Sequence, residues 1–154
     1  MIIDNCKIIW ELENVTNKHV LQSSWKRTII ASVEGDLCDY YRWFIFKRFG
    51  TQLNPPLRGP HITIVNDRIE DFEEFDLKVN ELSKNISTIS IDLDLAVRYG
   101  PEHIWFRCLS PSSMEIRELL GLGKPHMGFH VTIGSYRKNQ LDQANWIKLY
   151  GENY

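Results

Sequence analysis

Cysteine is scarce and poorly placed for cross-linking. The 154-residue chain holds three, Cys6, Cys38 and Cys108, odd in number and far apart. They form no C-x-x-C pair, which disfavours both a disulfide framework and a zinc ribbon and points to a reducing compartment. Excess positive charge is also lacking. Eighteen Lys and Arg stand against 20 Asp and Glu for a net charge of −2, too little to hold a long nucleic-acid duplex by counterion release. Any nucleotide ligand must be small or locally gripped. No apolar run approaches a membrane helix, and Met1–Trp10 breaks its apolar residues with Asp4 and Lys7, so the chain is expected to be cytoplasmic, with no membrane partner. Linkers and low-complexity tracts are missing as well. Hydrophobic residues at 43% and charged residues at 25% suit a folded globular protein, and the length sets one domain over residues 1–154.

Residues 27–33, rich in β-branched side chains and followed by Glu34-Gly35-Asp36, read as a strand and a turn. Leu37, Tyr41, Phe44 and Ile45 recur at helical spacing between a candidate cap at Asp36 and a stop at Gly50. Asn54-Pro55-Pro56 and Gly59-Pro60 break the chain before His61–Val65, which alternates as a strand. An amphipathic helix follows from Glu70 to about Lys84, with Phe72, Phe75, Val79 and Leu82 inward. Thr88–Val97 and His103–Leu109 alternate around a turn at Tyr99–Glu102 and predict a hairpin, with Ile89, Ile91, Leu93, Leu95 and Val97 on one face. Ser110 caps a helix begun by Pro111 and ended at Gly121, and Phe129–Ile133 is another strand. The second half thus repeats the plan of the first: strand, capped helix, Gly/Pro-broken loop, strand. Residues 10–25 and the tail after Arg137 hold Trp10, Trp25, Trp146 and Tyr150 but show no readable pattern.

The two late strands in this plan carry the same signature, His61-Ile62-Thr63 and His130-Val131-Thr132. Strand alternation puts each histidine and its threonine on one face and the apolar residues on the other. One His-x-Thr is weak evidence; two in matching positions are not easily dismissed. If the two halves pack side by side, one imidazole can remove a proton from an attacking hydroxyl while the other protonates a departing oxygen. The threonine hydroxyls would hold non-bridging phosphate oxygens. Which histidine plays which part stays open at this level, and no metal or cofactor is required.

These paired motifs resemble the two-histidine (2H) phosphoesterase superfamily, over about residues 27–135. The resemblance implies an α+β, duplicated bilobal fold, with two β-sheet lobes and outer helices around a central cleft. It also implies that His61 and His130 are the acid–base pair and Thr63 and Thr132 the phosphate-holding hydroxyls. The approach Leu53–His61 most resembles the phage nucleases that linearise cyclic oligonucleotide alarms of the CBASS defence. That likeness implies a small cyclic or short linear oligonucleotide as substrate, cleaved at 3′-5′ linkages, and a host cytoplasm as the place of action. The alternatives are a 2′-5′ oligonucleotide or 2′,3′-cyclic phosphate phosphodiesterase, and a nucleotide-binding module without turnover.

Four further residues are candidates for substrate binding. Trp105 shares a face with His103 and Arg107, so it either stacks a base or fills a surface groove. Tyr136 continues the face of His130 and Thr132 if the strand runs that far, and otherwise caps the core. Arg58 and Lys124, in the loops before the two motifs, either meet a phosphate or are solvated. His126 and His130, four apart, could suggest zinc, but Pro125 and Gly128 oppose the helix that would align them.

Overall fold

The computed structural model describes residues 1–11, 27–67 and 69–136; Trp25, Trp146 and Tyr150 lie outside them. Among these described residues six strands form one antiparallel sheet: β1 (Ile2–Ile9), β2 (Ile29–Ser32), β3 (His61–Val65), β4 (Thr88–Tyr99), β5 (His103–Leu109) and β6 (His130–Ser135). Among the described residues three helices accompany it: α1 (Leu37–Phe49), α2 (Phe72–Ser83) and α3 (Pro111–Leu119). The strand order is β3-β2-β1-β4-β5-β6, and the sheet curls until its two edges, β3 and β6, lie against each other. The result is an α+β fold around a nearly closed sheet.

Outward from the β1–β4 pair, the order reads the same in both directions. Each flank holds two strands, a helix and a third strand in chain order, and the third strand is the one that begins with histidine. The helices are exchanged across this plan: α1, from the first half, packs on β6, and α3, from the second, packs on β3. Sequence reasoning expects two sheets. The structure joins them into one, because β1 pairs with β4 at the middle, Ile2 opposite Asp92 and Lys7 opposite Thr88.

β1 is the element the sequence pattern conceals. Its register slips between Ile3 and Cys6, and Asn5 takes a left-handed conformation at φ 59°, so a bulge interrupts the alternation by which a strand is recognised. A second irregularity explains why Leu95 is exposed although Ile89, Ile91 and Leu93 are buried. Pairing jumps from Asp94–Arg107 to Val97–Phe106, which leaves Leu95 and Ala96 without partners in the ladder. The β4–β5 hairpin otherwise forms as expected, with Tyr99 opposite Ile104.

Helix ends follow their local chemistry. The Ser110 hydroxyl accepts from the Ser113 amide at 3.3 Å with Pro111 at the first helical position, and Asp71 accepts from the Glu74 amide at 3.0 Å. Asp36 precedes α1 without a side-chain cap bond, and Gly50 closes that helix in the left-handed conformation. Within α2, Phe75 is buried, whereas Phe72 is exposed and lies under the Arg27 guanidinium, 4.2 Å from its ring centre.

The core lies beneath the motif strands. Ile62, Ile64, Val131 and Ile133 have no exposed surface, and each buried side chain of this size contributes about 1.5–3 kcal/mol. His61, Thr63, His130 and Thr132, on the opposite face, are half-buried. The loop before β3 crosses to β6: Asn54 and Ser135 exchange both backbone hydrogen bonds at 2.9 Å. This crossing explains Gly134, where a Cβ would stand 2.9 Å from the Leu53 Cβ and 3.0 Å from the Asn54 carbonyl oxygen. Gly134→Ala is therefore expected to cost about 1–3 kcal/mol by overpacking and to lower the melting temperature by roughly 2–4 °C per kcal/mol. Gly123→Ala, which meets nothing within 4 Å, should change stability by less than about 0.5 kcal/mol. Equal melting temperatures for the two variants in thermal denaturation would remove the crossing as the reason for glycine at 134.

Candidate active site

Each motif histidine follows a turn of the same shape. Gly59 and Gly128 stand two residues before His61 and His130 and adopt φ 68° and 67°, a left-handed conformation that glycine enters without penalty. In both turns the glycine carbonyl meets the imidazole Nδ1, at 2.8 Å for His61 and 3.2 Å for His130. A carbonyl can only accept, so Nδ1 carries the hydrogen in both rings. That fixes the tautomer. When the ring is neutral Nε2 holds a lone pair, and when it is charged Nε2 holds a proton.

The two rings sit in different surroundings. The His61 imidazole is held below its ordinary pKa, first by desolvation and then by the positive charges of Arg58 and His130, against which the Gly59 carbonyl acts. Arg58 is itself half-buried and shifted downward by burial. Its position before β3 thus gives it an electrostatic reach onto His61. Thr63, two residues on, stands opposite Ile30, and His61 stands opposite Ser32.

On the other edge the partners are larger and polar. Trp105 pairs with Thr132 and Arg107 with His130. The half-buried Trp105 ring lies edge-on to the His130 imidazole, 6.5 Å between centres, and presses on the hairpin at Gly100, where a Cβ would fall 3.1 Å from the ring. Arg107 is exposed and lines a groove of about 660 Å³ with Met1, Asp92, Asp94, Met127 and Gly128. The two carboxylates there are paired, Asp92 with the Met1 amine and Asp94 with Arg98. Strand alternation places Arg107 on this face. What the sequence does not reveal is that its cross-strand partner is the histidine itself.

The remaining candidates fall elsewhere. β6 ends at Ser135, and Tyr136 just beyond it is buried, its hydroxyl donating to the Gly100 carbonyl. It caps the core and does not extend the His130–Thr132 face as a ligand contact. Lys124 is exposed in the α3–β6 loop and lines an apolar groove with Leu109, Pro111, Met114 and Phe129. The three cysteines are buried and unbridged, and burial pushes the Cys38 and Cys108 thiols up to about 11 and about 12, which removes both as nucleophiles near neutral pH. Among the described residues, no group of three or more His, Cys, Asp or Glu could hold a metal ion, and no helix is long and apolar enough to cross a membrane.

Two arginines missed by sequence reasoning connect the helices to the motif strands. Arg42 of α1 donates to the Ile133 carbonyl, and Arg117 of α3 donates to the Ile64 carbonyl. The available signal was the place of Arg117 on the buried stripe of α3, beside Ser113, Ile116 and Leu120. No protein-family model matches the chain, no curated protein matches it in sequence, and no solved structure matches it in fold.

Proposed function

We propose that the chain is a phosphodiesterase of the duplicated, bilobal 2H type, cleaving 3′-5′ linkages in cyclic di- or oligonucleotides with His61 and His130 and without a metal. The observation that carries this reading is the matched Nδ1–H to glycine-carbonyl bond, which leaves Nε2 of both imidazoles available for proton transfer. A nucleotide-binding module has no use for two rings held this way. The palindromic strand order and the exchange of α1 and α3 support the duplicated frame. The paired motifs carry the choice of a phosphodiester, and the likeness of the Leu53–His61 approach to the anti-CBASS nucleases carries the choice of a cyclic one.

In this mechanism a ribose 2′-oxygen attacks the adjacent phosphorus, its proton passes to Nε2 of His61, and the bond from phosphorus to the 5′-oxygen breaks. Nε2–H of His130 protonates that departing oxygen, and the product ends in a 2′,3′-cyclic phosphate. His61 takes the base role because burial and the charges of Arg58 and His130 favour its neutral form. Thr63 and Thr132 donate to the non-bridging oxygens as charge builds on them. Trp105 offers a stacking surface to a base and Arg107 a guanidinium to a phosphate, on the side of His130.

The direct test incubates the protein in EDTA with 3′,3′-cyclic dinucleotides, cyclic trinucleotides, 2′-5′ oligoadenylate and nucleoside 2′,3′-cyclic phosphates, with products identified by mass. Linearised cyclic oligonucleotides are expected. Conversion of only the last two substrates transfers the reading to a 2′-5′ or 2′,3′-cyclic phosphodiesterase. Binding without product identifies a nucleotide-binding module, and activity only on adding a divalent ion assigns the chemistry to a metal.

His61→Ala and His130→Ala should each lower kcat by about 10²–10⁴-fold while calorimetry shows retained ligand affinity. A wild-type rate in either variant removes that ring from the mechanism. The dependence of kcat/KM on pH should rise through the ionisation of His61 in the free enzyme, with an acid limb below histidine's ordinary value of about 6.5. Arg58→Ala removes a positive charge that disfavours the imidazolium, so the limb should move to higher pH. A limb that stays in place, or moves lower, takes the base role away from His61. Gly59→Ala and Gly128→Ala meet no neighbouring atom but place a Cβ in the left-handed region at a cost of about 1–2 kcal/mol. Each should reduce kcat by turning the carbonyl that holds its ring; unchanged kcat in both would show that those bonds do not orient the imidazoles.

A further inference from the structure

β3 and β6 carry the two histidines and lie against each other, but no ladder of hydrogen bonds joins them. Two strands without a ladder have no register of their own, so something else must fix their separation. The Asn54–Ser135 backbone exchange ties the chain before β3 to β6, and two side chains reach across to the motif strands themselves. Arg42, on α1, donates through Nη1 to the Ile133 carbonyl at 2.7 Å, while its Nη2 is paired with Asp39. Arg117, on α3, donates through Nη1 to the Ile64 carbonyl at 2.8 Å, through Nε to the Gly123 carbonyl at 2.7 Å, and through Nη2 to Asp67 at 2.5 Å.

The two contacts correspond residue for residue. Ile64 is three residues after His61, and Ile133 is three residues after His130. Each helix belongs to one half of the chain and each carbonyl to the other half's motif strand. Arg117 is only 2% exposed, and a guanidinium in that setting is strongly destabilising unless its donors are satisfied. Here each of its three nitrogens donates to an acceptor, on β3, on the loop after β3 and on the loop after α3. A lysine could not bridge all three, since its ammonium is a compact point charge and lacks the planar fork.

We propose that Arg42 and Arg117 are reciprocal positioning residues, each tying one half's helix to the other half's histidine strand, so that together they set the separation of His61 and His130. The catalytic consequence rests on the phosphodiesterase reading above. The geometric one does not. Two proton-transfer groups flanking one phosphorus must both be placed correctly, and a displacement of about 1 Å lowers the rate by about 10²-fold. Neither arginine acts on substrate in this account, so their loss should appear in kcat and leave ground-state binding nearly untouched.

The variants are Arg42→Gln, Arg117→Lys and Arg117→Gln in the full chain, each checked for folding by circular dichroism. Arg117→Gln is the variant most exposed to unfolding, and Arg42→Gln and Arg117→Lys keep the test available if it fails to fold. Crystal structures of the folded variants are expected to show the His61–His130 separation changed by about 1 Å. An unchanged separation in both Arg42→Gln and Arg117→Lys overturns the inference, whether or not the wild type turns over any substrate. Where the wild type is active on a cyclic dinucleotide, kcat should fall by about 10–10²-fold with KM within about twofold, and Arg117→Lys should retain more activity than Arg117→Gln. Wild-type kcat in folded Arg42→Gln and Arg117→Lys, or a loss confined to KM, overturns the positioning role. Absence of wild-type turnover counts against the phosphodiesterase reading alone, and the crystallographic separation then decides this one.

Discussion

The molecule is organised around a seam between two sheet edges that meet without forming a ladder. β3 and β6 bring the matched His-x-Thr motifs to this seam, and a continuous ladder there would close the sheet and spend those edges on pairing with each other. Instead, the edges are held from outside. Ile64 and Ile133 give their carbonyls to guanidiniums, and Asn54 exchanges two backbone bonds with Ser135. Each tie crosses between the halves of the chain, so neither motif strand is positioned by its own half alone. The exchanged packing of α1 and α3 carries the same logic into the core, where Ile62, Ile64, Val131 and Ile133 anchor the strands from below.

How much of this was legible in sequence follows from the range of the interaction concerned. The His61–Val65 and Phe129–Ile133 strands, the capped helix after Ser110 and the β4–β5 hairpin rest on local alternation, turn residues and caps, and these patterns are written within a few residues. β1 was hidden because Asn5 and the bulge beside it break the alternation of a strand that lies at the centre of the sheet. The single sheet was hidden for the same reason, since β1 is what joins the halves. Arg42 and Arg117 were illegible for another reason. Their acceptors are backbone carbonyls 91 and 53 residues away, and a carbonyl leaves no trace in residue identity. Tyr136 shows the limit of extrapolating a strand pattern: the strand stops one residue earlier, and the hydroxyl finds Gly100.

The duplicated plan does not give two equal sides. Opposite His61 and Thr63 the neighbouring strand supplies Ser32 and Ile30, of which Ile30 is buried. Opposite His130 and Thr132 it supplies Arg107 and Trp105, one exposed and one half-buried. The frame therefore repeats while the surface it offers does not. A phosphodiester is also unsymmetrical, carrying the attacking ribose on one side of phosphorus and the departing nucleoside on the other. A fully symmetric pair of histidines would accept it in two orientations, each reversing the roles of base and acid. On the phosphodiesterase reading, the aromatic and cationic surface beside His130 holds the departing nucleoside there and leaves the attacking hydroxyl to His61. Burial first, and then the charges of Arg58 and His130, lower the pKa of that ring and favour its neutral form, so the surface beside His130 and the surroundings of His61 favour the same orientation.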